Sequence, residues 1–326
     1  MKAIVYNAYG SPDVLHVQEV DKPSPGPADL LIRVHAAEAT KADCELRRFR
    51  FPVKWFWLPL RLAFGVRRPR RTILGGYFSG VIETVGTEVT GYAPGDEVFG
   101  SAGMGMGAYG QYVKVPATAT LAKKPPSVSF EAAAAVPLGG LNALHFMRRA
   151  AIRPGERVLI NGAAGSIGAF AVQIAKQMGA EVTAVDADYK EAMVRGIGAD
   201  HFVDYRTEDF TQSGQTYDVV FDMVVSSSYG ACLRCLSPGG RYVLGNPRLS
   251  DMLRSVLTST FTNKDVIFAF AGEKPEELED LADMLARGEL EVPIDRVLSL
   301  EEAPEAHRRV ETEERIGAVV LSHDLS

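Results

Sequence analysis

The stretch from Arg157 to Ala187, RVLINGAAGSIGAFAVQIAKQMGAEVTAVDA, constrains the fold of this chain more than any other. An apolar run, Val158, Leu159 and Ile160, enters a turn with glycines at Gly162, Gly165 and Gly168. The chain leaves that turn with apolar residues at Ile167, Phe170, Ala171, Ile174, Ala175 and Met178, the spacing of one helical face. Gly179 is placed to cap the C-terminus of that helix, and Glu181 to Val185 reads as a second strand ending at Asp186. Strand, glycine turn, helix, strand and terminal acid together point to a dinucleotide-binding unit, which a bare G-x-x-G-x-x-G does not.

A pyrophosphate must approach backbone N–H groups at a helix N-terminus, where the peptide dipoles favour an anion and a Cβ would stand in the way. Gly162, Ala163, Gly165, Ser166, Ile167 and Gly168 are therefore the candidate phosphate-side residues, and Asp186 would accept hydrogen bonds from the adenosine ribose. Two other readings of the turn exist. Glycines also join strands to helices purely for packing, and Ala164-Gly-Ser166-Ile-Gly168 lies one residue from the G-x-S-x-G elbow of serine hydrolases. That elbow needs a downstream acid and a histidine, for which His201, His307 and His323 are available, but the glycine pattern already explains the turn around Ser166.

With 326 residues the chain is expected to form two domains with substantial cores. A net charge of −6 argues against a general nucleic-acid binder, and three cysteines can build neither a disulfide framework nor a four-thiolate zinc site. The chain opens on a strand-like MKAIVY and carries no uncharged run long enough to span a bilayer, so a cytoplasmic location is expected.

From Met1 to about Lys124 short apolar runs alternate with turns: KAIVY, VLHVQEV, DLLIRVHAA, GVIETVG, EVFG and QYVKVP. This half reads as all-β and barrel-like. Past Pro125 the character changes to helices, the dinucleotide unit, and then HFVDY, YDVVFD and RYVLG alternating with helical stretches, with a further strand near Val266 to Phe270. Such alternation predicts a parallel sheet covered on both faces. After about Gly288 come VPIDRVL, a helix near Glu301 to Glu311, and the strand AVVL. The expected division is residues 1–124, rejoined by 288–326, and residues 125–287.

Arg47 to Arg71 interrupts the β half with nine Lys/Arg, no acid, and Phe49, Phe51, Trp55, Phe56, Trp57 and Phe64 interleaved. A membrane-surface or nucleic-acid patch is one reading. Pro52, Pro59 and Pro69 break any long amphipathic helix, so the segment is expected to be a loop or short helix forming a pocket wall, without membrane contact. Cys232 and Cys235 form a C-x-x-C in a helical stretch before a turn, and with no second pair they read as packed thiols.

MKAIVYNAYGSPDVL, GVIETVG with GYAPGDEVFG, EAAAAVPLGGLNAL, INGAAGSIGAFAVQIAKQMGAEV, GADHFVDYRTEDF and YDVVFD, in this order, resemble the medium-chain dehydrogenase/reductase superfamily and its zinc-free quinone oxidoreductase-like branch. The resemblance covers nearly the whole chain. It implies an α/β protein with a Rossmann doubly wound parallel sheet, a GroES-like β-barrel catalytic domain built from both chain ends, an active site in the cleft, and a homodimer. Where zinc alcohol dehydrogenases hold catalytic ligands, this chain places Thr40, the Gly76-Tyr77 pair and Pro137, which make no Cys/His site. The branch usually has Asn near position 40, Asp near 77 and Lys at 318; here stand Thr40, Tyr77 and Ala318.

Without a metal, reduction must rest on positioning, and a nicotinamide hydride would go to an acceptor whose own conjugation spreads the developing charge, a quinone or an α,β-unsaturated carbonyl. By position in the family, Thr40, Lys41, Asp43, Tyr77 and Asn142 are the candidate polar groups of the substrate pocket, and Gly245 and Asn246 would border the nicotinamide. Each of the polar groups could equally be a satisfied loop or buried residue. The alternatives are a zinc-free alcohol or carbonyl reductase and a catalytically silent dinucleotide-binding protein. Asp186 favours NADH over NADPH, while Lys190 and Tyr205 align with 2′-phosphate contacts in NADP-dependent relatives and Arg206 is adjacent, so the expected cofactor is NAD(P)H with NADH slightly favoured.

Overall fold

The computed structural model describes residues 1–51, 57–268 and 272–325. Up to Leu138 the chain forms β1 (Lys2–Val5), β2 (His16–Glu19), β3 (Asp29–Ala39), α1 (Lys41–Arg48), α2 (Trp57–Phe64), β4 (Tyr77–Val85), β5 (Glu97–Ser101), β6 (Tyr112–Pro116), β7 (Leu121–Lys123) and α3 (Phe130–Ala134). The middle of the chain carries α4 (Val136–Ala150), β8 (Arg157–Asn161), α5 (Ser166–Gln177), β9 (Glu181–Asp186), α6 (Glu191–Gly196), β10 (His201–Asp204), β11 (Tyr217–Asp222), α7 (Tyr229–Arg234), β12 (Leu236–Leu244), α8 (Leu249–Phe261) and β13 (Asp265–Phe268). Then follow α9 (Pro275–Ala286), β14 (Ile294–Ser299), α10 (Ala303–Glu311) and β15 (Ala318–Ser322).

These elements form two compact units, Met1–Leu138 with Glu273–Ser326, and Gly139–Gly272. The boundaries differ from the expected 124 and 288 because α3 lies on β3 and β4, and α9 on β7, so contacts draw both helices into the first unit. That unit holds a seven-stranded sheet in the order β14-β15-β3-β4-β5-β7 with β6 also paired to β3. Long β3 is its spine, and the antiparallel pairing of Val319 with Ala39 is how the C-terminal strand closes the sheet begun by the N-terminal segment. Its core includes Ile32, Val34, Phe78, Ile82, Val98, Tyr109, Val113, Val319 and Leu321, the inward alternation expected of a half-buried sheet.

The second unit is a six-stranded sheet, β10-β9-β8-β11-β12-β13, parallel throughout. Numbered from β8, this is the doubly wound order 3-2-1-4-5-6, whose strand order reverses between β8 and β11. Val158, Leu159, Ile160, Val219, Val220 and Phe221 are wholly buried, as a strand covered on both faces requires. Among the described residues no helix is long and apolar enough to cross a membrane.

Candidate functional site

The three glycines of the turn between β8 and α5 do three different jobs. Gly162 has φ +85°, a left-handed conformation that side chains resist, and its N–H donates to Val185 O, bending the chain sharply off β8. A Cβ on Gly168 would lie 2.1 Å from Gly162 O, so close packing of helix on strand demands glycine there. Gly165 is different: a Cβ would meet nothing nearer than Gly162 O at 3.5 Å, so nothing in the protein forbids a side chain. The room it leaves lies at the N-terminus of α5, where Gly165 is the N-cap and the first helical bond runs from Ala169 N to Gly165 O. A backbone turn open to an anion at a helix N-terminus fits a dinucleotide pyrophosphate.

Asp186 ends β9 beside this turn and is almost buried. Its carboxylate accepts the N–H of Ala164 at 2.9 Å and of Ala187 at 2.9 Å, and pairs with the buried Lys190 ammonium at 3.1 Å. The acid thus ties turn and strand together, with Lys190 folded back on it. Farther out, Arg206 pairs with Asp188 and, at 3.3 Å, with Asp204, while Tyr205 and Tyr189 are exposed. Three carboxylates and two cations therefore share the end of β9 and β10.

At the reversal of strand order, the ends of β8 and β11 bring Asn161 and Asp222 together. Buried Asp222 accepts Asn161 Nδ2 at 3.0 Å, Ser227 Oγ at 3.0 Å, Val224 N at 2.9 Å and Tyr242 Oη at 2.8 Å. Burial pushes its carboxyl above the ordinary carboxylate range, against those four donors. Gly245 donates its N–H to Asp222 O, and a Cβ there would strike Met223 Sδ at 2.1 Å; Asn246 Nδ2 reaches Met223 O at 3.0 Å. Gly245 and Asn246 thus belong to one shelf with Asp222 at the switch point, and Asn142 lies half-buried on α4. Sequence reading missed Asn161, Asp222, Ser227 and Tyr242, although polar residues ending the apolar runs RVLIN and YDVVFD carry the signal.

In the first unit Thr40 and Asp43 meet directly. Thr40 Oγ1 donates to Asp43 Oδ2 at 2.5 Å, Thr40 N donates to the same oxygen at 3.0 Å, and Asp43 N returns to Thr40 Oγ1 at 3.1 Å, a capping box on α1. Asp43 Oδ1 also takes the N–H of Gly75 at 3.0 Å, which fixes the chain just before Tyr77. The Tyr77 hydroxyl donates to Glu273 Oε1 at 3.0 Å, and burial with that carboxylate drives its pKa well above the usual phenol value. Behind Asp43 a series runs from Tyr109 Oη to His307 Nε2 at 3.0 Å, from His307 Nδ1 to Arg47 at 3.4 Å, and from Arg47 to Glu311, buried throughout except at the partly exposed Glu311. Spacing in sequence gave no hint of this series, whose members come from both ends of the chain. Lys41 points away from it, paired with Glu313.

Ser166 opens α5, and His201, the histidine next in sequence, starts β10, whose parallel pairing puts it at the opposite end of the sheet from the turn, bonded to Glu181 at 2.6 Å. The hydrolase elbow therefore gains no histidine from His201. Cys232 and Cys235 are buried free thiols, and burial pushes the first up to about 12, so both are packing residues. Trp55 and Phe56, with the Trp57 side chain, fall outside the described residues.

Residues 26–126 match the alcohol dehydrogenase GroES-like domain, and residues 197–321 match the zinc-binding dehydrogenase domain. A quinone oxidoreductase of Pseudomonas aeruginosa is 30% identical over 98% of this chain and 99% of its own length. The chain belongs to the medium-chain dehydrogenase/reductase superfamily, in its quinone oxidoreductase-like branch. The solved quinone oxidoreductase of Coxiella burnetii superposes with a TM-score of 0.86 at 29% identity, covering 99% of each chain. The polyketide synthase protein NorB of Streptomyces orinoci is 37% identical over 80% of this chain, which spans only 12% of that relative's length. This member of the superfamily is an oxidoreductase whose family binds a nicotinamide dinucleotide, and the turn and Asp186 fit that group. Thr40 and Pro137 stand where zinc alcohol dehydrogenases hold catalytic ligands, and neither side chain is a Cys or His. Thr40 spends its hydroxyl on Asp43, Pro137 has no donor, and among the described residues no three His, Cys, Asp or Glu side chains gather as a metal site.

Proposed function

We propose that this protein is a zinc-independent oxidoreductase that transfers a hydride from NAD(P)H to a quinone or an α,β-unsaturated carbonyl. The observation that carries the reading is the glycine turn, in which Gly162 and Gly168 are fixed by the protein's own geometry while Gly165 leaves space at the N-terminus of α5. When bound, the dinucleotide supplies the hydride. The backbone N–H groups at the start of α5, past Gly165, hold its pyrophosphate, and Asp186 orients the adenosine ribose. The shelf of Gly245 and Asn246 limits where the nicotinamide end can lie. Asn142 is proposed as a polar contact on the same side.

Thr40, Asp43 and Tyr77 are assigned to the substrate. Thr40 and Asp43 are locked into each other, so their part is to hold the backbone around Gly75 and Tyr77. Tyr77 stays a neutral hydroxyl at any physiological pH, able to donate a hydrogen bond to an acceptor oxygen in exchange for Glu273. With no Lewis acid to polarise an isolated ketone, a conjugated acceptor that delocalises its own charge is the substrate class that suits this residue set.

NADH is the favoured cofactor. Asp186, Asp188 and Asp204 face Lys190 and Arg206, leaving a net negative charge where a 2′-phosphate would sit. The protein is read as a homodimer because α8 exposes Leu249, Leu253, Val256, Leu257 and Phe261 beside β13, whose outer edge pairs with no described strand. A cytoplasmic site of action is proposed with it. Turnover of NADH with a panel of quinones and enals, before and after a chelator and with elemental analysis, tests the reading. Undiminished activity without stoichiometric zinc is expected, and one tightly held zinc per chain would refute zinc independence. Light scattering of wild type and Phe261→Asp tests the dimer, a monomeric wild type being the contrary result.

A further inference from the structure

We infer that α2 and the arginines after it form a docking surface for an anionic phospholipid membrane. The inference is independent of the proposed reaction and reverses the expectation that this segment makes no membrane contact. Pro59 falls in the first turn of α2, where proline is tolerated, so a short helix forms despite it. One side of this helix serves the core: Phe64 is buried, Leu60 packs against the same cluster, and Tyr9 Oη caps the end by donating to Phe64 O and, at 2.9 Å, to Gly65 O. The other side is also apolar but meets solvent. Leu58 is 61% exposed, Leu62, one turn on, is 59% exposed, and Val66 just past the helix is 61% exposed. A helix apolar on both sides has a second apolar phase to meet.

The charge around that surface names the phase. Arg67, Arg68, Arg70 and Arg71 are all exposed and follow at once, and no acid occurs from Arg47 to Arg71 in a chain whose net charge is −6. Two guanidinium groups are spent on rigidity: Arg61 Nη1 donates to Val66 O at 2.9 Å and lies over the Phe49 ring, and Arg70 Nη1 donates to Leu62 O at 2.9 Å. Among the described residues no carboxylate pairs with Arg67, Arg68 or Arg71. Three arginines with no carboxylate partner among the described residues, beside exposed leucines, suit a bilayer interface, where aliphatic side chains enter the acyl boundary and guanidinium groups meet phosphates. A nucleic acid would satisfy the arginines and leave Leu58, Leu62 and Val66 in water.

The test is co-sedimentation of the full chain with vesicles of phosphatidylcholine alone and of phosphatidylcholine with an equal part of phosphatidylglycerol. Binding to the anionic vesicles is expected to be at least about tenfold tighter and to weaken with salt. The double variant Leu58→Ser/Leu62→Ser and the triple variant Arg67→Gln/Arg68→Gln/Arg71→Gln should each lose roughly tenfold or more in that binding. These side chains are exposed, so each variant should keep the wild-type melting temperature. Failure of the wild type to bind anionic vesicles overturns the proposal, as does a leucine variant that binds as the wild type does. Retention on single-stranded DNA without vesicle binding would assign the arginines to a polyanion and also overturn it.

Discussion

Asp186 concentrates the cofactor question in one carboxylate. It accepts two backbone N–H groups and pairs with Lys190, so its charge is held in place before any ligand arrives. The Asp186→Ser variant is expected to shift preference toward NADPH by at least about tenfold, roughly 1.4 kcal/mol, measured as the ratio of kcat/KM for the two cofactors. A wild type that strongly prefers NADPH, unchanged by this substitution, would mean that Asp186 faces away from the ribose. The acid itself was legible in the sequence because an acid ending the second strand has a set place relative to the glycine turn. The return of Lys190 onto it, and the locking of Thr40 to Asp43, were not. Both pairs are close in sequence, but whether their side chains face each other depends on local backbone angles that residue types leave open. The Asp222 cluster was legible only as polar ends of apolar runs, since Asn161 and Tyr242 reach its carboxylate through the parallel register of β8, β11 and β12, and Ser227 through the turn that follows β11.

The turn between β8 and α5 makes a prediction that separates binding from packing. Gly165→Ala should leave the melting temperature nearly unchanged, because its Cβ has space and its φ of −76° suits alanine, yet weaken dinucleotide affinity about tenfold or more. Gly168→Ala should instead cost about 1–3 kcal/mol of stability, because its Cβ would press on Gly162 O. Calorimetry of both variants with and without NADH checks the pair, and equal loss of affinity and stability in Gly165→Ala would contradict the assignment. Elements with a strong period were readable, as with α5, β8, β9 and the alternating β half. Short elements whose apolar residues face two ways were not: α2 has Leu60 and Phe64 inward and Leu58 and Leu62 outward, a pattern that gives no helical period. Likewise α3 and α9 are helices of ordinary pattern, and only their contacts with β3, β4 and β7 decide which unit owns them.

The whole molecule carries its own acid sensitivity. His307 is held to about 3 by burial and by the nearby Arg47 charge, and burial lowers His323 to about 4. Both lie below the unfolded value of 6.5, so the folded state binds fewer protons than the unfolded one between these limits. Stability is therefore fully present above pH 6.5 and is lost as pH falls through 4 toward 3. At about 1.4 kcal/mol per pKa unit the loss reaches a few kcal/mol for each histidine, partly opposed by the buried carboxyl of Asp43, which burial pushes up. His323→Gln should flatten the fall of melting temperature across this window, and an unchanged slope would deny His323 its share. Hydride transfer from a dinucleotide held at the glycine turn is the reaction proposed for the whole molecule. The most direct test is single-turnover reaction of the full chain with NADH deuterated at both C4 positions and an α,β-unsaturated aldehyde, followed by mass spectrometry of the product. One deuterium at the β-carbon of the enal is expected, with loss of that transfer in a Gly165 variant that remains folded; bound cofactor with no label passed to any enal and no oxidation of NADH by any quinone would contradict hydride transfer.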